Sequence, residues 1–298
     1  MKRVITRLAL GALAIALALL VYVGVTAGPT LYRVEIGLHR YETAPPTLPP
    51  GLGRTAFLIF SKTNGFRHES IVAGNAALSA IAKRRGWSVF VTENGAVFNP
   101  AQLSRFKAVI WDNASGDDLT AAQRAAFKGY LEAGGGFVGV HAAGDNSHNA
   151  WPWYVDTLIG TRFIGHTLGP QFPTAGIRVE DHTNPATRDL PQIWARSDEW
   201  YSFASDPRAK GYHILASLDE RTYRPVMKFP FFASKSLRMG YHPIVWVHCV
   251  GNGRAFYSAM GHQASAYKEP LHLRMLEGAM VWAAGLGGPT CVDGVYGK

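Results

Sequence analysis

The sequence predicts an α/β protein built on a doubly wound, mainly parallel sheet, with a single apolar helix ahead of it. Three observations predict this. From Arg54 onward, short β-rich apolar runs alternate with stretches that carry apolar residues at helical spacing, the pattern of a parallel sheet wound with helices. The stretch GGGFVGVHAAGDN, Gly134 to Asn146, leads from glycines into the apolar run Phe137 to Val140 and stops at His141. It reads as a buried strand delivering His141 and Asp145 to its carboxyl end, where open α/β sheets place their ligands. Finally, 298 residues at 47% hydrophobic and 12% aromatic content supply a sizeable core.

In chain order, Lys2, Arg3 and Arg7 precede an uncharged run from Leu8 to Gly28. About 20 apolar residues suffice for a helix across the hydrocarbon core, and the run is longer than the usual core of a cleaved signal peptide. With the basic residues in front, the N-terminus is expected in the cytoplasm and the domain outside. A small-residue cleavage site at Val25-Thr26-Ala27, giving a secreted product, is the alternative. Residues 29–53, with Pro29, Pro45, Pro46, Pro49 and Pro50, read as a semi-extended spacer.

The α/β domain is assigned to residues 54–286 and a tail to 287–298. Thr55 to Phe60 is the first strand, followed by the polar loop SKTNGFRHES. Ala73 to Arg85 is a helix stopped by Gly86, and Trp87 to Thr92 is the second strand. Asn99 caps a short helix with Pro100 at its first position. Ala108 to Trp111 is the third strand, Thr120 caps the helix Ala121 to Ala133, and the fourth strand is the organising one. Ala175 to Glu180, Tyr212 to Ser217, Pro243 to Val250 and Ala255 to Ala259 read as later strands with antiparallel pairs among them, closed by the helix Leu271 to Ala284.

The net charge of +9 is spread out, and no basic run exceeds Lys83-Arg84-Arg85, so nucleic acid is not an expected partner. Of the two cysteines, Cys249 sits in the apolar run IVWVHCV and is favoured as a buried free thiol, with Cys291 in a mobile tail. A disulfide stays open if the domain lies outside the cytoplasm.

In a parallel sheet the loops after the first, third and fourth strands share one edge, which brings His68, Asp112 and His141 together. An imidazole between small residues at a strand end suits a general base, a general acid or a metal ligand, and His141 is the leading candidate. His68 could instead cap the following helix. Asp112, Asp117 and Asp118 read as a loop ending in a helix cap rather than a cation site. Glu199, flanked by Asp198, Trp200 and Tyr201, resembles the carboxylate-beside-aromatic arrangement that holds sugar rings, the alternative being core aromatics with Glu199 paired to Arg196. Trp151 and Trp153 lie in a segment expected to cover the site, with a core role favoured. His242 and His248 are expected to be structural.

The motifs FSKTNGFRHESI, GGGFVGVHAAGDN, WPWYVDTLIGTRFIGH, SDEWYSF, HILASLDE and AMGHQ, in this order, resemble the trehalose-utilisation, ThuA-like family. The resemblance covers about residues 54 to 286 and implies the three-layer fold of class I glutamine amidotransferases. Where that fold carries a cysteine in a G-x-C-x-G turn, this chain has Gly139-Val140-His141-Ala142-Ala143-Gly144, so a glutaminase nucleophile is absent.

The resemblance further implies chemistry on trehalose-type or 3-keto-disaccharide substrates by elimination, hydrolysis or isomerisation. The expected catalytic residues are His141 as base, His68 or Glu199 as acid, and Asp145 orienting an imidazole. His166, His262, Trp200, Tyr201 and Asn146 are expected to bind the sugar. No cofactor is required by this scheme. A divalent metal fits the convergence of histidines and carboxylates, but no pair shows the spacing of a zinc motif, and no metal ligands are named. The rival reading is a non-catalytic, membrane-tethered glycan-binding module.

Overall fold

The computed structural model describes residues 2–26, 28, 39–228 and 233–297. Helix α1, Lys2–Thr26, contains the stretch Ile5–Thr26, long and apolar enough to cross a membrane by length and composition. Ala27 of the proposed cleavage site and residues 29–38 of the proposed spacer lie outside the described residues. The rest of that segment does not stand off as a spacer. Glu42 pairs with Lys62 at 2.6 Å and accepts the Gly95 N–H, while Gln102 and Gln123 donate to the carbonyls of Pro46 and Glu42. Residues 39–53 are thus bound along the domain, because their backbone carbonyls meet side-chain donors that would otherwise face solvent.

The first half alternates as its sequence pattern requires. Strand β1 is Ala56–Phe60, helix α2 Ser70–Arg84, β2 Ser88–Thr92, α3 Pro100–Leu103, β3 Ala108–Asp112, α4 Ala121–Glu132 and β4 Gly136–Val140. The local signals operate as written. Asn99 accepts the Gln102 N–H at 3.0 Å, and Thr120 with Gln123 closes a reciprocal capping box. Every residue of β1, β3 and β4 is buried, as continuous apolar runs in the middle of a parallel sheet must be.

The second half contributes β5 Phe163–His166, β6 Thr174–Val179, β7 Ile193–Ser197, β8 Tyr201–Phe203, β9 His213–Asp219, β10 Val226–Met227, β11 Lys235–Ser236, β12 His242–Val250, β13 Gly253–Ser258 and helix α5 Pro270–Ala283. A nine-stranded mixed sheet runs β2-β1-β3-β4-β13-β12-β9-β6-β7. From β2 to β13 the neighbours are parallel, and from β13 to β7 they are antiparallel. Helices cover both faces. A Cβ on Gly136 would lie 2.2 Å from the Ala283 carbonyl of α5, whereas its neighbour Phe137 packs on Phe127 of α4. Successive strand residues point to opposite faces, so α4 and α5 flank the sheet in three layers.

The tail is not mobile as expected. Cys291–Val292 (β14) and Val295–Tyr296 (β15) form a hairpin, and Cys291 is disulfide-bonded to Cys249 of β12 with Cα atoms 5.6 Å apart. The free-thiol expectation fails because Tyr296 stacks on His213, seating the tail beside β12 and within bonding reach.

Candidate active site

Because β1, β4 and β13 are parallel and nearly adjacent, the turns that follow them open on one edge of the sheet. His68 follows β1, His141 follows β4 and His262 follows β13. Above this edge β5 and β8 pair as a separate two-stranded sheet, with His166 opposite Tyr201, and bring Glu199 down from the turn before β8. The result is a cleft of about 570 Å³ whose walls include His68, Asp145, Asn146, His166, Glu199 and His262. That volume falls in the range of small-molecule sites.

His141 lies at the strand-to-helix turn with φ 48°, a left-handed conformation that non-glycine residues rarely adopt. The turn is held by Tyr257, whose hydroxyl donates to the His141 carbonyl at 2.9 Å and whose ring fills the space left open at Gly144. Nδ1 of His141 lies 2.9 Å from the Ala259 carbonyl. Since that oxygen can only accept, Nδ1 carries a proton, and in the neutral ring it is Nε2 that holds the lone pair. Nε2 is 3.1 Å from Nδ1 of His262 and 3.5 Å from Oε2 of Glu199, and Glu199 Oε2 is 3.0 Å from His262 Nδ1.

The other oxygen, Oε1, meets His166 Nδ1 at 3.1 Å and the Gln171 amide at 2.5 Å. His68 packs edge-on against both partners, with ring centroids 4.9 Å from His141 and 4.8 Å from His262, and its buried Nδ1 has no hydrogen-bond partner among the described residues. One ligand atom each from His68, His141, Glu199 and His262 lies within 4.8 Å of the others, so these four are the residues that could hold a metal ion.

The electrostatics follow from burial against pairing. Burial alone would raise the Glu199 carboxyl, but hydrogen bonds from His141 and His262 outweigh it and hold the group well below the carboxylate range. Burial would likewise lower His141, yet the Glu199 carboxylate raises it. His68 lacks such a partner: burial first, then its two imidazole neighbours, push it down to about 2, so it stays neutral.

The expected site residues separate into groups. His68, His141, Glu199, His166 and His262 converge, and Tyr201 lies against the His141 ring at 4.2 Å. Asn146 and Asp145 line the cleft wall. Asp145 does not orient an imidazole as expected. Its Oδ1 accepts the backbone N–H of Ser147 at 2.8 Å and the Ser147 hydroxyl, and the Ala259 carbonyl positions His141 instead. Trp200 is not a sugar platform, being 1% exposed with its indole N–H donated to the Pro173 carbonyl at 2.7 Å. Trp151 and Trp153 do not cover the cleft either; they pack on α4 beside Arg124 and Lys128.

Two contributors escaped the sequence reading. Gln171 bonds Glu199 from the loop before β6. Asp198 is fully buried, and its two oxygens accept the N–H groups of Glu199, Gly261 and His262 and pair with Arg196 at 3.0 Å. The only available signal for Asp198 was its place beside Glu199.

The ThuA family model, described as trehalose utilisation, matches residues 56–283. A ThuA-like protein from Bacteroides uniformis ATCC 8492 is 26% identical and superimposes with a TM-score of 0.64 over 80% of this chain and 95% of its own. A ThuA-like protein from Parabacteroides merdae ATCC 43184, 20% identical, shares the fold with a TM-score of 0.59 over 78% of this chain and 91% of its own. None of the curated proteins matches the chain.

Proposed function

The chain belongs to the ThuA, or trehalose-utilisation, family, and on that premise we propose that it is an enzyme that removes the proton beside the carbonyl of a 3-keto-disaccharide. One observation carries the proposal: a carboxylate and three imidazoles, Glu199 with His68, His166 and His262, line an open cleft at the carboxyl ends of β1, β4 and β13, with the buried His141 in contact with Glu199 and His262. A 3-keto group acidifies the proton on carbon 2. Once that proton is taken, either it is returned to carbon to give an isomer, or the carbon 1–oxygen bond breaks by β-elimination and the departing oxygen takes the proton from the imidazolium.

His166 is the group best disposed to act as base. It is the most exposed of the clustered imidazoles at 30%, and its Nδ1 is engaged by Glu199 Oε1 and the Thr167 carbonyl at 3.0 Å. Its Nε2 meets no hydrogen-bond partner among the described residues and can take the substrate proton, with Glu199 supporting the imidazolium that forms. His141, the base expected from sequence, is fully buried and its Nε2 is enclosed by Glu199 and His262, which suits positioning better than direct proton transfer. Asp145 and Asn146 offer hydrogen bonds to sugar hydroxyls.

The basic residues in the first turns of α1, Lys2, Arg3 and Arg7, and the Cys249–Cys291 disulfide support a domain held outside the cytoplasm, since such a bridge persists in oxidising compartments. The test is to incubate the full chain in detergent with trehalose and with 3-ketotrehalose in deuterated water, following products and deuterium at carbon 2 by mass spectrometry. Turnover or exchange of the keto-sugar alone, lost at least 100-fold in His166→Ala, is the expected result. Saturable binding without turnover or exchange would instead favour a tethered glycan-binding module.

A further inference from the structure

We infer that His68, His141, Glu199 and His262 form a binding site for one divalent first-row transition-metal ion. The spacing of the donor atoms fits one. Ligands about 2.0 to 2.1 Å from a tetrahedral zinc ion lie about 3.4 Å from each other. The separations among His141 Nε2, His262 Nδ1 and Glu199 Oε2 are 3.1, 3.0 and 3.5 Å, and the His68 donor lies within 4.8 Å of the other three.

Proton supply points the same way. With His141 neutral, its Nε2 lone pair and the Glu199 Oε2 lone pairs face each other beside His262, whose single Nδ1 can offer one proton to both. His68, 5% exposed, brings a fourth donor set into the cluster with its Nδ1 unpartnered. A cation satisfies all four at once, where hydrogen bonds within the cluster satisfy only part of them.

The surroundings are those of metal ligands. His141 donates its remote N–H to the Ala259 carbonyl, which fixes the tautomer and aims Nε2 inward. Glu199 is steadied through Oε1 by Gln171, and Asp198 fixes the backbone of Glu199 and His262 together. Three imidazoles with one carboxylate favour zinc, cobalt, iron or manganese over calcium or magnesium, which prefer all-oxygen sites.

Resting on the keto-sugar reading above, the ion, taking the 3-keto oxygen as a fifth ligand, would act as a Lewis acid, stabilising the negative charge that develops there when carbon 2 loses its proton to His166. Atoms and electrons balance without an oxidant or reductant.

The experiment takes the full chain in detergent, strips it with a chelator, and titrates Co²⁺ and Zn²⁺ by visible absorption and calorimetry. One ion per chain with cobalt ligand-field bands is expected. His68→Ala and His262→Ala should each weaken binding at least 100-fold while keeping the wild-type circular dichroism spectrum, and His166→Ala should bind like wild type. No stoichiometric binding by wild type, or unchanged binding in both ligand variants, overturns the site. Turnover is read in parallel. Metal binding without any keto-sugar turnover defeats the substrate reading and leaves the site standing. Turnover that survives complete metal removal defeats the ion's part in the reaction.

Discussion

Asp198 shows how much of this site depends on a residue that touches no cleft surface. Its carboxylate accepts three backbone N–H groups and the Arg196 guanidinium, so Asp198→Asn turns an amide toward donors and leaves Arg196 short of a partner. Breaking a buried pair on one side costs about 3 to 5 kcal/mol. Urea denaturation of Asp198→Asn should show a loss of that order, with keto-sugar turnover falling alongside; an unchanged midpoint would refute the assignment. At this scale the sequence was informative for the histidines, because His141, His166 and His262 each close or closely follow an apolar run and His68 lies in the loop after one. It was silent on which would be exposed: His141 and His166 differ in burial through packing of β5 and β8, which no local pattern records.

Among the elements, α2 and the β9–β12 pair make opposite kinds of prediction. A glycine inside a helix ordinarily weakens it by about 0.5 to 1 kcal/mol relative to alanine. At Gly74 of α2, however, an added Cβ would lie 2.2 Å from Asp112 Oδ2, so Gly74→Ala should destabilise by about 1 to 3 kcal/mol. A more stable Gly74→Ala protein in chemical denaturation would show that the helix is not pressed on β3 there.

Glu220, at the end of β9, accepts from His242 at the start of β12 at 3.0 Å and from the N–H groups of Met239 and Gly240. Burial works to raise this carboxyl, but these donors outweigh it and hold it below its ordinary value. A depressed carboxyl contributes stability that is complete above its unfolded pKa, about 4.3, and is lost as the pH falls through the lower folded value. Melting temperatures taken between neutral pH and pH 3 should therefore fall less steeply for Glu220→Gln than for wild type, and identical slopes would remove Glu220 from the acid response. The element boundaries in the first half were legible from caps and apolar runs. The short strands β5, β7 and β8 were not, because their pairing is long-range and only partly reflected in residue type.

For the whole molecule, the disulfide closes a loop across a sequence separation of 42 residues. Chain-entropy arguments give about 4 kcal/mol for a loop of that size. Cys249→Ser with Cys291→Ser, or treatment with a reductant, should lower stability by about that amount while leaving metal binding intact, since neither cysteine is near the cluster. A loss of metal binding would mean that the tail and β12 control the site.

The sequence by itself determined the parallel half of the sheet, the helix caps, the apolar N-terminal helix and the family resemblance. Each of these is encoded within a few residues of chain, through periodicity, capping chemistry or motif order. Only the tertiary structure decided that residues 39–53 lie along the domain, that the tail is pinned to β12, and that Trp200 is core. It also decided that His68, His141, Glu199 and His262 meet at one point. Those four are separated by up to 194 positions in the chain. What brings them together is the order of strands in the sheet and the inserted β5–β8 layer, both products of long-range pairing and packing that no stretch of sequence contains.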